Sequence, residues 1–193
     1  MIKLITFDIG GTIIKSEKSV SRYELLKKYL DLSEEEYKEA FYISKEPLAS
    51  LFSSHTKIMD DEQKAHINRI LNSEKNKVFN EKMINLIEKL HNMGYKIATI
   101  SNVNYYLYTS LANSKVEKFI DKEFYSFEIG DFKPHLNAFL YIQNYYNLKP
   151  EETLHIGDSK VSDYYGAINA GWNAILVDNN LNINDYLDII GQM

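Results

Sequence analysis

The chain has 193 residues, 45% of them hydrophobic and 25% charged, and it contains no cysteine. That length suits one domain, or one domain carrying a sizeable insertion, and is too short for two full enzymatic lobes. With 22 basic and 27 acidic residues the net charge is −5, which gives no global field for nucleic acid or an anionic membrane, and the missing cysteines exclude disulfides, thiolate metal sites and a thiol nucleophile.

The first apolar run, IKLITF at 2–7, stops at Asp8 and a glycine turn, as a buried strand does. It is too short for the core of a signal peptide, and no later run approaches the ~18 residues that cross a bilayer, so a soluble, unprocessed, cytoplasmic protein is expected. From 16 to 79 the sequence turns charged and helical in period. Ser33 with Glu36 reads as a capping box, and Asp60 caps a helix through 70–72. Residues 15–79 are thus expected to form a helical insert after the first strand, with 1–14 and 80–193 as the main domain.

Beyond the insert, strand and helix patterns alternate. A helix capped at Asn80 turns Met83, Ile87 and Leu90 inward and stops at Gly94. KIATI at 96–100, EFYSF at 123–127, TLHI at 153–156 and AILV at 174–177 read as strands, and 104–113, 135–147 and 161–169 as helices. Such alternation implies parallel βαβ units with right-handed crossovers, hence an α/β fold with a doubly wound, Rossmann-like parallel sheet. Ligands of such sheets bind beyond the carboxyl ends of the strands.

At those ends stand Asp8 to Thr12, Ser101 and Asn102, Lys133 before a helix opened by Pro134, and Gly157, Asp158, Ser159 and Asp163. A carboxylate in a glycine turn can attack phosphorus, and the acyl phosphate so formed is readily hydrolysed. Two or three carboxylates with a backbone carbonyl can hold Mg²⁺, while a lysine and a hydroxyl neutralise phosphoryl oxygens. Each residue also has a plainer reading. Asp8 can be a turn former, Ser101-Asn102 a helix cap, Lys133 a solvated lysine, and Asp158 with Asp163 a cap plus a surface carboxylate. The DIGGT loop also resembles the first phosphate loop of actin-like sugar kinases, which need two large lobes and more residues than this chain has. His55, His66, His91, His135 and His155 show no metal-ligand spacing and read as structural or surface residues. Most of the 15 tyrosines read as packing residues, with Tyr105 and Tyr106 close enough to the second loop to touch a substrate.

Taken together, FDIGGT, TISN, GDFKP and GDSKVSD resemble, in order, the four motifs of the haloacid dehalogenase superfamily. GAINAGW at 166–172 looks like the helix and turn that follow the fourth motif. The resemblance implies that Asp8 is the nucleophile and a metal ligand, Ser101 the phosphate-binding hydroxyl and Lys133 the phosphate-bridging cation. It implies Mg²⁺ held by Asp8, the Gly10 carbonyl and Asp158, with Asp163 supporting the metal or Lys133. Thr12 would hold the first loop, Asn102 would join the substrate-binding set, and the insert would be a helical cap over a small phosphorylated molecule.

One position departs from that pattern. Phosphatases of the superfamily usually carry a second aspartate two residues after the nucleophile, which protonates the leaving group and then activates water; here it is Gly10. General acid/base catalysis is typically worth ~10²–10⁴-fold. The expected function is Mg²⁺-dependent phosphate-ester hydrolysis through an aspartyl phosphate with reduced acid/base capacity. The rivals are a metal-free dehalogenase and a catalytically silent phosphate-binding protein.

Overall fold

A computed structural model of the chain describes residues 1–15, 22–46, 60–71, 78–108 and 110–193. Five parallel strands form one sheet: β1 (Leu4–Phe7), β2 (Lys96–Ser101), β3 (Lys122–Tyr125), β4 (Thr153–Gly157) and β5 (Asn173–Leu176). Their order is β3, β2, β1, β4, β5, so the chain reverses its direction of travel across the sheet between β1 and β4. The expected doubly wound architecture is therefore present, and its switch point lies where Phe7 pairs with Ile156.

Both faces of the sheet are buried, which is why the strands read as apolar runs rather than alternations. Ile5, Phe7, Ile97, Leu154 and Ile156 pack with Met83, Ile87 and Leu90 of α4 (Glu81–Asn92) and with Tyr186 and Ile190 of α8 (Ile183–Gly191). On the other face Leu4, Ala98, Ile100 and Phe124 meet Ala138, Phe139 and Ile142 of α6 (Leu136–Tyr146). Trp172 closes that layer, beyond a π-helical run at Lys160–Tyr165 and the short α7 (Gly166–Asn169).

Among the described residues three helices precede α4: α1 (Arg22–Leu26), α2 (Glu34–Ile43) and α3 (Asp61–Leu71). The expected caps are there. Ser33 Oγ accepts from Glu36 N–H while the Glu36 carboxylate accepts from Ser33 N–H, and Asp60 Oδ1 accepts from Gln63 N–H at 2.8 Å. The helices share a small core of Leu26, Leu30, Tyr37, Phe41 and Ile67. The chain leaves and re-enters the main domain side by side: Lys15 N–H donates to Val78 C=O, Asn80 N–H donates to Ile13 C=O, and Ile14 pairs with Phe79. Residues 16–21, 47–59 and 72–77 of the expected insert, including His55 and the last residue of the 70–72 stretch, lie outside the described residues.

Three expectations need correction, and one helix is additional. The described residues of 104–113, which leave out 109, form turns rather than a helix, because short polar side chains capture the backbone: Asn104 Oδ1 accepts from Tyr106 N–H, and Ser110 Oγ from Ala112 N–H. The strand expected at 123–127 ends at Tyr125, and Ser126 begins the short α5 (Ser126–Ile129). Asn80 does not cap α4 with its side chain; its Nδ2 donates to Thr12 C=O at 3.1 Å, tying the first loop to the helix start. The helix α8 was not anticipated, although Asn182 and Asp185 form a capping box at its start. Among the described residues no helix is long and apolar enough to cross a membrane.

Candidate active site

Asp8 follows β1, Ser101 ends β2, Asp158 follows β4, and Lys133 lies in the loop between α5 (Ser126–Ile129) and α6. The switch point gathers them. Lys133 is 2% exposed and its Nζ donates to Asp8 Oδ1 at 2.7 Å and to Asp163 Oδ1 at 2.5 Å. Asp8, Asp158 and Asp163 each offer an oxygen, and these atoms lie within 4.8 Å of one another.

An ammonium buried this deeply survives only if it is paired. Burial works against the charge of Lys133, but Asp8 and Asp163 outweigh it and hold its pKa above the ordinary lysine value. Burial pushes the Asp8 carboxyl up to about 7, against the pull of Lys133 and with help from Asp163. For Asp163 burial also acts upward, yet Lys133 and His155 hold it well below the usual carboxylate range. Asp158, open on one side to solvent, is raised by the partial enclosure of its carboxyl and by Asp163. Two nearby carboxylates therefore occupy opposite states: Asp163 firmly ionised, Asp8 poised near neutrality.

Local geometry explains the glycines. Gly11 has φ +92°, and a Cβ there would fall 2.2 Å from a carboxylate oxygen of Asp158. A Cβ on Gly157 would fall 2.3 Å from Asp163 Cγ. Both glycines let a carboxylate lie against bare backbone. Gly10 differs: its φ is not in the left-handed region, and a Cβ there would meet nothing within 4 Å.

Asp163 is fully engaged. Its Oδ1 accepts from Lys133 Nζ and faces His155 Nε2 at 3.2 Å, while its Oδ2 accepts from Ser159 N–H at 2.8 Å. Asn102 points its amide at the Lys133 backbone, accepting from its N–H at 2.9 Å and donating to its C=O at 2.7 Å. Thr12 is buried beside the first loop, and its Oγ1 has no hydrogen-bond partner among the described residues. Ser101 is buried at the strand end.

Two further groups were not singled out from the sequence. Asn104 Nδ2 donates to Phe41 C=O at 2.9 Å, and Ser126 Oγ donates to Tyr42 C=O at 2.8 Å. They satisfy carbonyls at the end of α2 that a helix leaves unpaired, and so fasten the second insert helix beside the second loop. Their polar character in otherwise apolar stretches is the only sequence signal. His155, read as structural, contacts Asp163 directly.

Known proteins resemble this chain in sequence and in fold. A rhythmically expressed gene 2 protein of Drosophila melanogaster is 38% identical over 85 residues, 42% of this chain and 33% of that protein. A glyceraldehyde 3-phosphate phosphatase of Methanothermobacter thermautotrophicus is 32% identical over 93 residues, 48% of this chain and 41% of its own. The chain thus spans less than half the length of these curated relatives. In fold it matches a 2-haloacid dehalogenase of Pseudomonas syringae with a TM-score of 0.65 at 15% identity, covering 100% of this chain and 99% of that one. It also matches a Bacteroides thetaiotaomicron enzyme solved with magnesium and inorganic phosphate, with a TM-score of 0.61 at 21% identity over 94% and 97% of the two chains. The sequence pattern of the haloacid dehalogenase-like hydrolases runs through residues 2–171, from β1 to the turn after α7, and this chain belongs to that family.

Proposed function

We propose that this hydrolase cleaves phosphate esters of a small metabolite, with Asp8 as nucleophile and Mg²⁺ as cofactor. The observation that carries the reading is the Lys133 ammonium, buried at the switch point 2.7 Å from Asp8 with Asp163 behind it. A cation so placed can meet the phosphoryl oxygens of a substrate presented to Asp8. The Methanothermobacter relative is named for a phosphorylated substrate, and the Bacteroides neighbour holds magnesium and phosphate, which supports the same class.

The donor set fits a hard divalent cation. Three carboxylates crowd one ammonium, every donor is oxygen, and Gly11 leaves the room in which the Asp158 carboxylate lies. Asp8, Asp158 and the Gly10 carbonyl would hold Mg²⁺, with Asp163 at its back, already committed to Lys133. Bound there, the ion offsets the charge of a phosphoryl group approaching a carboxylate.

In the first step an Asp8 oxygen forms a bond to phosphorus as the bond to the leaving oxygen breaks, giving an aspartyl phosphate. Lys133 and the Ser101 hydroxyl take the phosphoryl oxygens. Water then displaces Asp8 from phosphorus, releasing inorganic phosphate. Gly10 carries no acid for the departing group, so good leaving groups, aryl and acyl phosphates, should react faster than alkyl phosphates. Asn102, with both amide atoms on the Lys133 backbone, acts by positioning that lysine rather than by touching substrate. The helical segment between Lys15 and Val78 is read as the cap, supported by its paired stem, its own small core and the docking of α2 beside Asn104.

Turnover of p-nitrophenyl phosphate and acetyl phosphate, with and without Mg²⁺, tests the proposal. Metal-dependent hydrolysis that disappears in Asp8→Asn is expected. Metal-free release of halide from a 2-haloacid would instead favour a dehalogenase, and phosphate binding without turnover a silent pocket.

A further inference from the structure

His155 sits in the middle of β4, fully buried, where a histidine has no obvious packing advantage over the isoleucine or leucine around it. Burial drives it toward the neutral form. Its neighbours fix the position of its single proton. Thr6, its register partner on β1, places Oγ1 2.8 Å from Nδ1, and Asp163 Oδ1 lies 3.2 Å from Nε2. A proton on Nδ1 would turn the Nε2 lone pair toward a carboxylate. With the proton on Nε2, the ring donates to Asp163, and the Thr6 hydroxyl, which can also donate to Leu154 C=O at 3.3 Å, turns its proton to the nearer Nδ1 at 2.8 Å. Phe139 packs edge-on against the ring at 5.8 Å between centroids, and through it Trp172 closes the layer.

We infer that His155 is a positioning residue for Lys133, acting through Asp163. Asp163 Oδ2 is pinned by Ser159 N–H, so the torsion of the carboxylate is set by what holds Oδ1. Two donors meet there, Lys133 at 2.5 Å and His155 at 3.2 Å. The imidazole is rigid, built into a central strand and held on its far side by Thr6, whereas the lysine is a flexible chain. The rigid donor places the oxygen, and the oxygen places the ammonium against Asp8. The chain Thr6, His155, Asp163, Lys133, Asp8 thus carries the stiffness of two central strands to the Asp8 carboxylate. Its function rests on the reading of Lys133 as the phosphate-binding cation; its geometry does not.

The test reads the lysine directly. In ¹H–¹⁵N spectra of the whole, metal-free protein, the Lys133 ammonium protons should exchange slowly, and the His155 ring should show the neutral Nε2–H tautomer. In His155→Leu the ammonium signal should be lost to exchange while the fold, followed by circular dichroism, persists; in His155→Gln, whose amide can donate near the position of Nε2, it should return. With Mg²⁺ and p-nitrophenyl phosphate, kcat of the leucine variant should fall by about tenfold with KM little changed, as expected for loss of one orienting hydrogen bond. An unchanged Lys133 signal in folded His155→Leu, or the Nδ1–H tautomer in the parent, overturns the inference. Should the leucine variant not fold, the tautomer and the glutamine variant decide it. Absence of turnover in every form, with the spectra as expected, would instead count against the phosphatase reading.

Discussion

Asn102 holds Lys133 by its peptide, not by its charge: Oδ1 accepts from the Lys133 N–H at 2.9 Å and Nδ2 donates to its C=O at 2.7 Å. The two residues belong to the second and third loops, so a single amide joins β2 to the segment that delivers the ammonium to Asp8. Side chain and backbone of Lys133 are fixed independently, the first by two carboxylates and the second by Asn102.

Asn102→Ala should therefore release the lysine backbone while leaving its ion pairs available. Two lost hydrogen bonds, one to a partly buried N–H, should lower stability by about 1–3 kcal/mol. Catalysis should suffer in kcat more than in KM, and Asn102→Asp, whose second oxygen would face the Lys133 C=O to which Nδ2 now donates, should suffer at least as much as the alanine variant. Denaturant unfolding and steady-state kinetics on the three proteins check the order; equal kcat in all three would leave Asn102 a bystander.

Asp8 predicts an inverted relation between charge and stability. Its folded pKa of about 7 stands above the ordinary 3.8, so between these values the folded state keeps a proton that the unfolded state releases. The contribution is favourable below the unfolded pKa and is lost as pH rises through about 7. Without metal, Asp8→Asn should accordingly gain on the parent steadily as pH rises from 3.8 to about 7, melting close to it only at or below the lower value and clearly higher above the upper one. At about 2–4 °C per kcal/mol for a chain of this size, the difference is readable by scanning calorimetry. Added Mg²⁺ should raise the parent's Tm more than the variant's, because only the parent offers it the Asp8 charge.

Most of the sheet and most of the loop residues were legible because parallel strands buried on both faces must be apolar, and whatever breaks that rule at their carboxyl ends stands out. Asp8 and Asp158 stand out that way, and Lys133 by its place before the Pro134-led helix. His155 does not, because a polar residue within an apolar strand has the same signature whether it packs, binds or braces. The turns among the described residues of 104–113 were missed for a related reason: the stretch contains Asn104 and Ser110, whose side chains accept from backbone N–H groups two residues on, and Asn113, which takes a left-handed φ of 64°. Asn102 and Asn80 looked like caps because asparagine commonly is one; which carbonyl it reaches is set by the tertiary fold.

The two adjacent glycines of the first loop should respond oppositely to alanine. At Gly11 the left-handed φ alone costs about 1–3 kcal/mol, and the new Cβ would drive the Asp158 carboxylate from its place. Gly11→Ala should lose stability and Mg²⁺ binding together. Gly10→Ala meets no neighbour and should be neutral or stabilising by up to about 1 kcal/mol, through loss of freedom in the unfolded chain. Thermal melts with and without Mg²⁺ distinguish the pair.

The open space at Gly10 also makes a gain-of-function test practicable. An aspartate two residues beyond the nucleophile serves related phosphatases as the acid for the leaving group, and this backbone has neither the φ nor the crowding that would forbid one. If the parent lacks that acid, its rate should fall steeply as the leaving-group pKa rises, since the leaving oxygen departs as an anion. Gly10→Asp should flatten the slope, helping alkyl phosphates by as much as about 10²-fold and p-nitrophenyl phosphate little. Its pH profile should acquire a limb on the alkaline side, absent from the parent, as the new acid ionises. The measurement is kcat/KM over a series of aryl and alkyl phosphates at saturating Mg²⁺ for both proteins. A shallow slope in the parent would mean that another group, from the helical insert or from the substrate itself, already supplies the proton, and the reading of Gly10 as a missing acid would fail.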